Sequence, residues 1–102
     1  MDENIKIAVA LRAGRAALGM TQQEFATHLG VAKSTIARAE TMEITIKGEI
    51  YVKALRLFRG HGLDVDTIAE NEVVVRVGEK ALKEAHARLG DPAKRRSDRK
   101  KS

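Results

Sequence analysis

The chain has 102 residues, room for one modest core. Its 43% hydrophobic and 32% charged residues are those of a soluble globular chain, and with only Phe25, Tyr51 and Phe58 aromatic, that core must be aliphatic. The absence of cysteine excludes a disulfide framework, a thiol nucleophile and a cysteine–zinc site. No apolar run approaches the roughly 20 residues of a membrane span, and the acidic start is unlike a secretory signal, so a cytoplasmic location is expected. The net charge of +5 divides unevenly: −1 over residues 1–11, +4 over 12–60, −2 over 61–90 and +4 over 91–102. Two basic zones flank an acidic one, and an acidic partner is the natural expectation.

Residues 4–18 carry Ile7, Ala8, Leu11 and Leu18 at helical spacing and end at Gly19, which predicts a first helix. Arg12 and Arg15 lie three apart on it, so they form either a solvated face or an approach to a phosphate backbone. Thr21-Gln22-Gln23-Glu24 has the pattern of a capping box and predicts the start of a second helix. Phe25, Ala26 and Leu29 form its inward face, and Gly30 supplies the turn after only about two helical turns. A third helix follows over residues 33–40, with Val31 and Ile36 continuing the apolar pattern. Residues 41–47 alternate with period two and predict a partly packed loop. Residues 49–59 resume the helical period and stop at Gly60-His61-Gly62.

The last third changes character. Residues 65–69 and 72–77 are short and β-branched, predicting a hairpin or at least its second strand, and residues 79–89 carry Ala81, Leu82, Ala85 and Leu89 on a helical stripe. Beyond Pro92 the chain is rich in Lys and Arg without apolar period, the composition of a disordered basic tail. The expected organisation is a helical, partner-binding unit over 1–62, a strand–helix dimerisation element over 63–90 and the tail over 91–102. The tail either adds non-specific phosphate contacts or is a solvated end.

Two short helices across a tight turn can read DNA only if a small residue lets them cross closely and apolar residues fix their angle. Ala26 meets the first condition; Phe25, Leu29, Val31, Ile36 and Ala39 meet the second. The outward residues at the start of the third helix must then be polar, and Lys33, Ser34 and Arg38 are. Arg38 is the strongest candidate for a base contact, because a guanidinium can grip guanine O6 and N7 as a bidentate pair.

On the run LRAGRAALGMTQQEFATHLGVAKSTIARAE, continued to about residue 60, the sequence resembles the helix-turn-helix family of phage Cro and CI repressors, also called the XRE family. The resemblance implies a mainly α, lambda-repressor-like domain, here followed by a small β-hairpin and a terminal helix. It further implies dimers that bind two half-sites with the third helix in the major groove. Carried over by position, it assigns Gln22, Thr35 and Lys47 to the DNA backbone and Lys33, Ser34 and Arg38 to base edges. Two departures stand out: Ala32 occupies the cap of the third helix, where Ser or Thr is common, and the loop after Glu40 lacks the usual Gly-rich turn.

The run Val73, Val74, Val75, Val77 is too apolar for a solvated edge. With Leu82 it is expected to pair with a second chain in a two-fold homodimer, the alternative being a hairpin folded onto its own helical domain. The partners expected are therefore double-stranded operator DNA and a second copy, with repression the role the resemblance implies. The rival classes are a DNA-binding antitoxin holding a toxin and a protein-interaction adaptor; a protein antagonist is a further partner to consider. An enzyme is not expected, because His28, His61 and His86 are scattered and neither a catalytic triad nor a phosphate loop is present. No cofactor or metal is expected.

Overall fold

The computed structural model describes residues 2–90; the basic tail expected over 91–102 lies outside them. Five helices and a hairpin follow in the order α1 (Glu3–Ala17), α2 (Gln22–Leu29), α3 (Lys33–Glu40), α4 (Gly48–Gly60), β1 (Leu63–Asp66), β2 (Val74–Val77) and α5 (Glu79–Leu89). The first two helices begin at side-chain caps. Asp2 accepts from the amide of Asn4 at 2.9 Å ahead of α1. Thr21 and Glu24 close a complete capping box on α2, the Thr21 hydroxyl accepting from the Glu24 amide and the Glu24 carboxylate from the Thr21 amide, each at 3.0 Å.

The fully buried large side chains Leu11, Phe25, Leu29, Ile36, Phe58 and Leu63 come from α1, α2, α3, α4 and β1, so one core joins the helices to the hairpin. At its centre Phe25 and Phe58 stack with ring centroids 5.5 Å apart and planes 9° from parallel. The ring of Phe58 reaches α1 only because residue 14 is glycine: a Cβ there would lie 2.4 Å from two of its ring carbons.

β1 and β2 pair antiparallel, Leu63 opposite Val77, Val65 opposite Val75 and Asp66 opposite Val74. The first strand starts and ends earlier than the expected 65–69. Leu63 is drawn into the core, and the Asp66 carboxylate accepts from the amide of Ile68 at 2.9 Å, turning the chain out of the strand and leaving Ile68 exposed. Within the chain β2 pairs with β1, the hairpin that the β-branched runs predict. Alternation then divides the run. Val73 and Val75 pack against the core, whereas Val74 shares the outer face with Asp64, Asp66 and Arg76, joined by an Arg76–Asp64 contact of 3.3 Å.

α5 is attached mainly through polar groups spaced four apart, and Ala81 is its one buried residue. Lys80 donates to the Gly60 carbonyl at the end of α4 (2.7 Å), Glu84 meets His61 Nδ1 (3.0 Å), and Arg88 donates to the Leu18 carbonyl at the end of α1 (2.8 Å). Cationic side chains thus satisfy the carbonyl ends of two helices, where the helix dipole favours positive charge.

Candidate nucleic-acid interface

Gly30 closes α2 in the left-handed conformation (φ 71°, ψ 31°), and its amide and that of Val31 bond back to carbonyls of α2. A residue with a Cβ would be strained at this angle, so the sharp turn that sets α3 across α2 depends on Gly30. α3 then buries Ile36, Ala39 and Glu40, which leaves Lys33, Ser34 and Arg38 exposed. At about 100° per residue, Ser34, Ala37, Arg38 and Thr41 form one outward strip with Lys33 at its margin. Among the described residues, no other side chain engages those of Lys33, Ser34 or Arg38. Ala37, half-buried on the same strip, was not anticipated from the sequence; its methyl is of the type that meets a thymine methyl.

The backbone-facing candidates fall into two groups. Thr35 and Lys47 line one open cleft between the start of α3 and the start of α4, walled by Ile44, Ile46 and Ile50. Neither helix has a side-chain cap there, Ala32 and Lys47 being the cap residues, so first-turn amides of both helices remain for an anion. Gln22 stands differently. Its side-chain amide donates to Glu40 Oε1 at 3.2 Å, an engagement the sequence reading did not foresee. What the start of α2 presents outward are the amides of Gln22 and Gln23, which precede the first intrahelical bond, from Phe25 to Thr21 at 3.0 Å.

The interaction that fixes α3 in place was also missed. Glu40 is 4% exposed and receives Arg15 as a two-point pair, Nε to Oε2 at 2.7 Å and Nη2 to Oε1 at 2.9 Å; Arg15 also donates to the Met20 carbonyl. Arg15, Gln22 and Glu40 therefore lock α1, α2 and α3 together, and among the described residues no buried side-chain nitrogen or oxygen lacks a hydrogen-bond partner. A signal was present: Glu40 falls four residues after Ile36, on the buried stripe of α3, where a carboxylate demands a cationic partner. Of the two arginines expected to share a face, Arg15 is spent inside the protein and Arg12 is exposed.

The loop after α3 resolves the second departure from the family pattern. Glu43 bonds to the Arg38 carbonyl (2.8 Å) and Met42 to that of Ala39 (3.3 Å), a helix-ending turn that needs a left-handed residue. Met42 takes that conformation, with φ 66°, the one non-glycine residue at positive φ among the described residues.

The expected dimer residues are now located. Val73 and Val75 face the core, Val74 lies half-buried on the outer hairpin face, and Val77 (41%) and Leu82 (58%) are exposed. Among the described residues there is no cluster of metal-binding side chains, and no helix is long and apolar enough to cross a membrane.

No curated protein and no solved structure matches the chain. A family model described as "Helix-turn-helix" matches residues 11–63, just over half of it, and spans α2, the Gly30 turn, α3, α4 and the first residue of β1. With that match over a capped α2, a glycine turn and an outward polar strip on α3, the chain belongs to the XRE-type, Cro/CI-like helix-turn-helix family of DNA-binding transcription regulators.

Proposed function

We propose that the protein is a sequence-specific repressor that binds a near-palindromic operator as a homodimer, with α3 in the major groove. The observation that carries this reading is the outward strip of α3, whose Lys33, Ser34 and Arg38 are exposed and uncommitted while its opposite side is buried and anchored by the Arg15–Glu40 pair. In this reading Arg38 reads a guanine, Ser34 and Lys33 reach neighbouring base edges, and the methyl of Ala37 lies against a thymine. Thr35, Lys47, the amides that open α3 and α4, and those of Gln22 and Gln23 in α2 hold phosphates and set the register. Half-site centres one turn of DNA apart would be about 34 Å apart.

The test is selection of binding sites from genomic fragments, followed by salt-titrated affinity for the intact protein and Arg38→Ala. The proposal expects an inverted repeat, with Arg38→Ala losing about 1–3 kcal/mol of discrimination at one base pair and little non-specific affinity. Weak, sequence-blind binding by the intact protein would instead favour an adaptor that uses the same fold.

A further inference from the structure

α5 runs from the hairpin to the far end of α1. It starts after Gly78, whose amide donates to the Gly62 carbonyl at 2.8 Å. Lys80, Glu84 and Arg88 then hold it in turn to the end of α4, to His61 and to the Leu18 carbonyl. The last contact needs a glycine beside it, since a Cβ on Gly19 would lie 2.3 Å from Arg88 Nε. Gly90, from which residues 91–102 continue, is thereby set next to the turn between α1 and α2.

At that turn the elements of the DNA reader converge. Arg15 donates to the Met20 carbonyl and to Glu40 at the end of α3, and Gln22 at the start of α2 donates to the same carboxylate. The outward amides of Gln22 and Gln23 open α2 at this corner. To the same corner the sequence brings Lys94, Arg95, Arg96, Arg99, Lys100 and Lys101, against only Asp91 and Asp98. Residues 91–102 carry +4 of the net charge of +5, which leaves +1 on residues 1–90.

We infer that residues 91–102 are a basic arm that binds the DNA backbone beside the phosphates at the start of α2, with Arg88 positioning its origin. This rests on the operator-binding reading above and adds to it a phosphate-binding segment outside the helix-turn-helix. The chain's own carboxylates are a poorer destination. Glu70 and Glu72 follow Ala69, whose carbonyl is held by Lys6, twelve residues and about 18 Å before Leu18 along α1. Asp64 belongs to the hairpin that precedes α5, a helix about 16 Å long, and already meets Arg76 at 3.3 Å. Duplex DNA, by contrast, presents one charge about every 1.7 Å of its axis, and the release of its counterions drives the binding of a cationic segment.

The experiment is salt-titrated binding of the full chain and of a full-length variant whose six basic tail residues are glutamine, on the selected operator and on an unrelated duplex. Loss of about four phosphate contacts lowers the slope of log K against log salt by about 3.6. Between about 50 and 200 mM salt the wild type should therefore lose about a hundredfold more affinity than the variant, and equally on both duplexes. The cysteine-free chain allows a second measurement, in which an iron chelate on a single introduced cysteine cuts the nearby DNA backbone. Cuts from Ala93→Cys should adjoin those from Gln23→Cys. Adding Arg88→Ala should scatter the former while changing the salt slope by no more than about one phosphate. Equal slopes for wild type and glutamine variant, or cuts from Ala93→Cys remote from those of Gln23→Cys, would overturn the arm and leave the operator reader standing. Tighter binding by the glutamine variant would place the tail on the chain's own carboxylates and overturn it as well. Weak binding by the intact protein without preference for any site would overturn the operator reading itself, and the arm with it.

Discussion

Replacing Arg15 by Met keeps most of the side-chain volume but withdraws both hydrogen bonds to a carboxylate whose side chain is 2% exposed. Glu40 would be left with the single bond from Gln22. Removing one partner of a buried ion pair costs about 3–5 kcal/mol, because the remaining charge stays desolvated. Arg15 is itself 20% exposed, so water can enter where it stood, and the lower end of that range, about 3 kcal/mol, is expected. For a domain of this size the urea slope is about 1–2 kcal/mol/M, and the midpoint should fall by about 2 M. The double variant Arg15→Met/Glu40→Leu removes the stranded charge and should recover most of the loss, since an apolar pair in place of a buried ion pair is often neutral. Urea titrations of the wild type, both single variants and the double variant measure this coupling. A loss below about 1 kcal/mol for Arg15→Met, or a double variant as unstable as the sum of the two singles, would refute the claim that this pair holds α3.

Three further outcomes are expected from the geometry. Met42→Gly relieves a left-handed side chain at φ 66° and should raise stability by up to about 1 kcal/mol, seen as a melting temperature several degrees higher; an unchanged or lower value would mean that the methionine's contacts offset its strain. Ala32→Ser gives α3 the cap it lacks and should add about 0.5–1 kcal/mol in the same melts. Gly14→Ala, although it favours helix, forces a methyl to within 2.4 Å of the Phe58 ring and should destabilise by about 1–3 kcal/mol in urea titrations; a neutral result would mean that the Phe25–Phe58 stack yields easily.

The sequence carried the helix-turn-helix in local terms. A capping box at Thr21, a glycine at residue 30 and an uninterrupted apolar period on either side each act within a few residues, so α2 and α3 could be placed to the residue. α5 was equally legible over residues 79–89, and the missing cap at Ala32 is missing in the structure as well. The outward strip of α3 followed from the same period, because whatever the buried stripe does not take faces solvent.

Side-chain pairing was not legible, since it depends on which surfaces meet. Arg15 and Glu40 are 25 residues apart, and Lys6 finds the Ala69 carbonyl across 63, so no local pattern joins them. The valine run showed the same limit: β-branched composition marked a strand, but only pairing with Leu63–Asp66 decided which valines the core takes. The sequence by itself determined the helices, the turn between α2 and α3 and the residues facing outward on α3, because hydrogen bonds and apolar periods within a few residues fix these. The tertiary structure alone decided that Gln22 and Arg15 turn inward to Glu40, that α5 is held by helix carbonyls, and that it ends beside the turn between α1 and α2. Burial of a charge or a methyl is settled only when distant segments pack together.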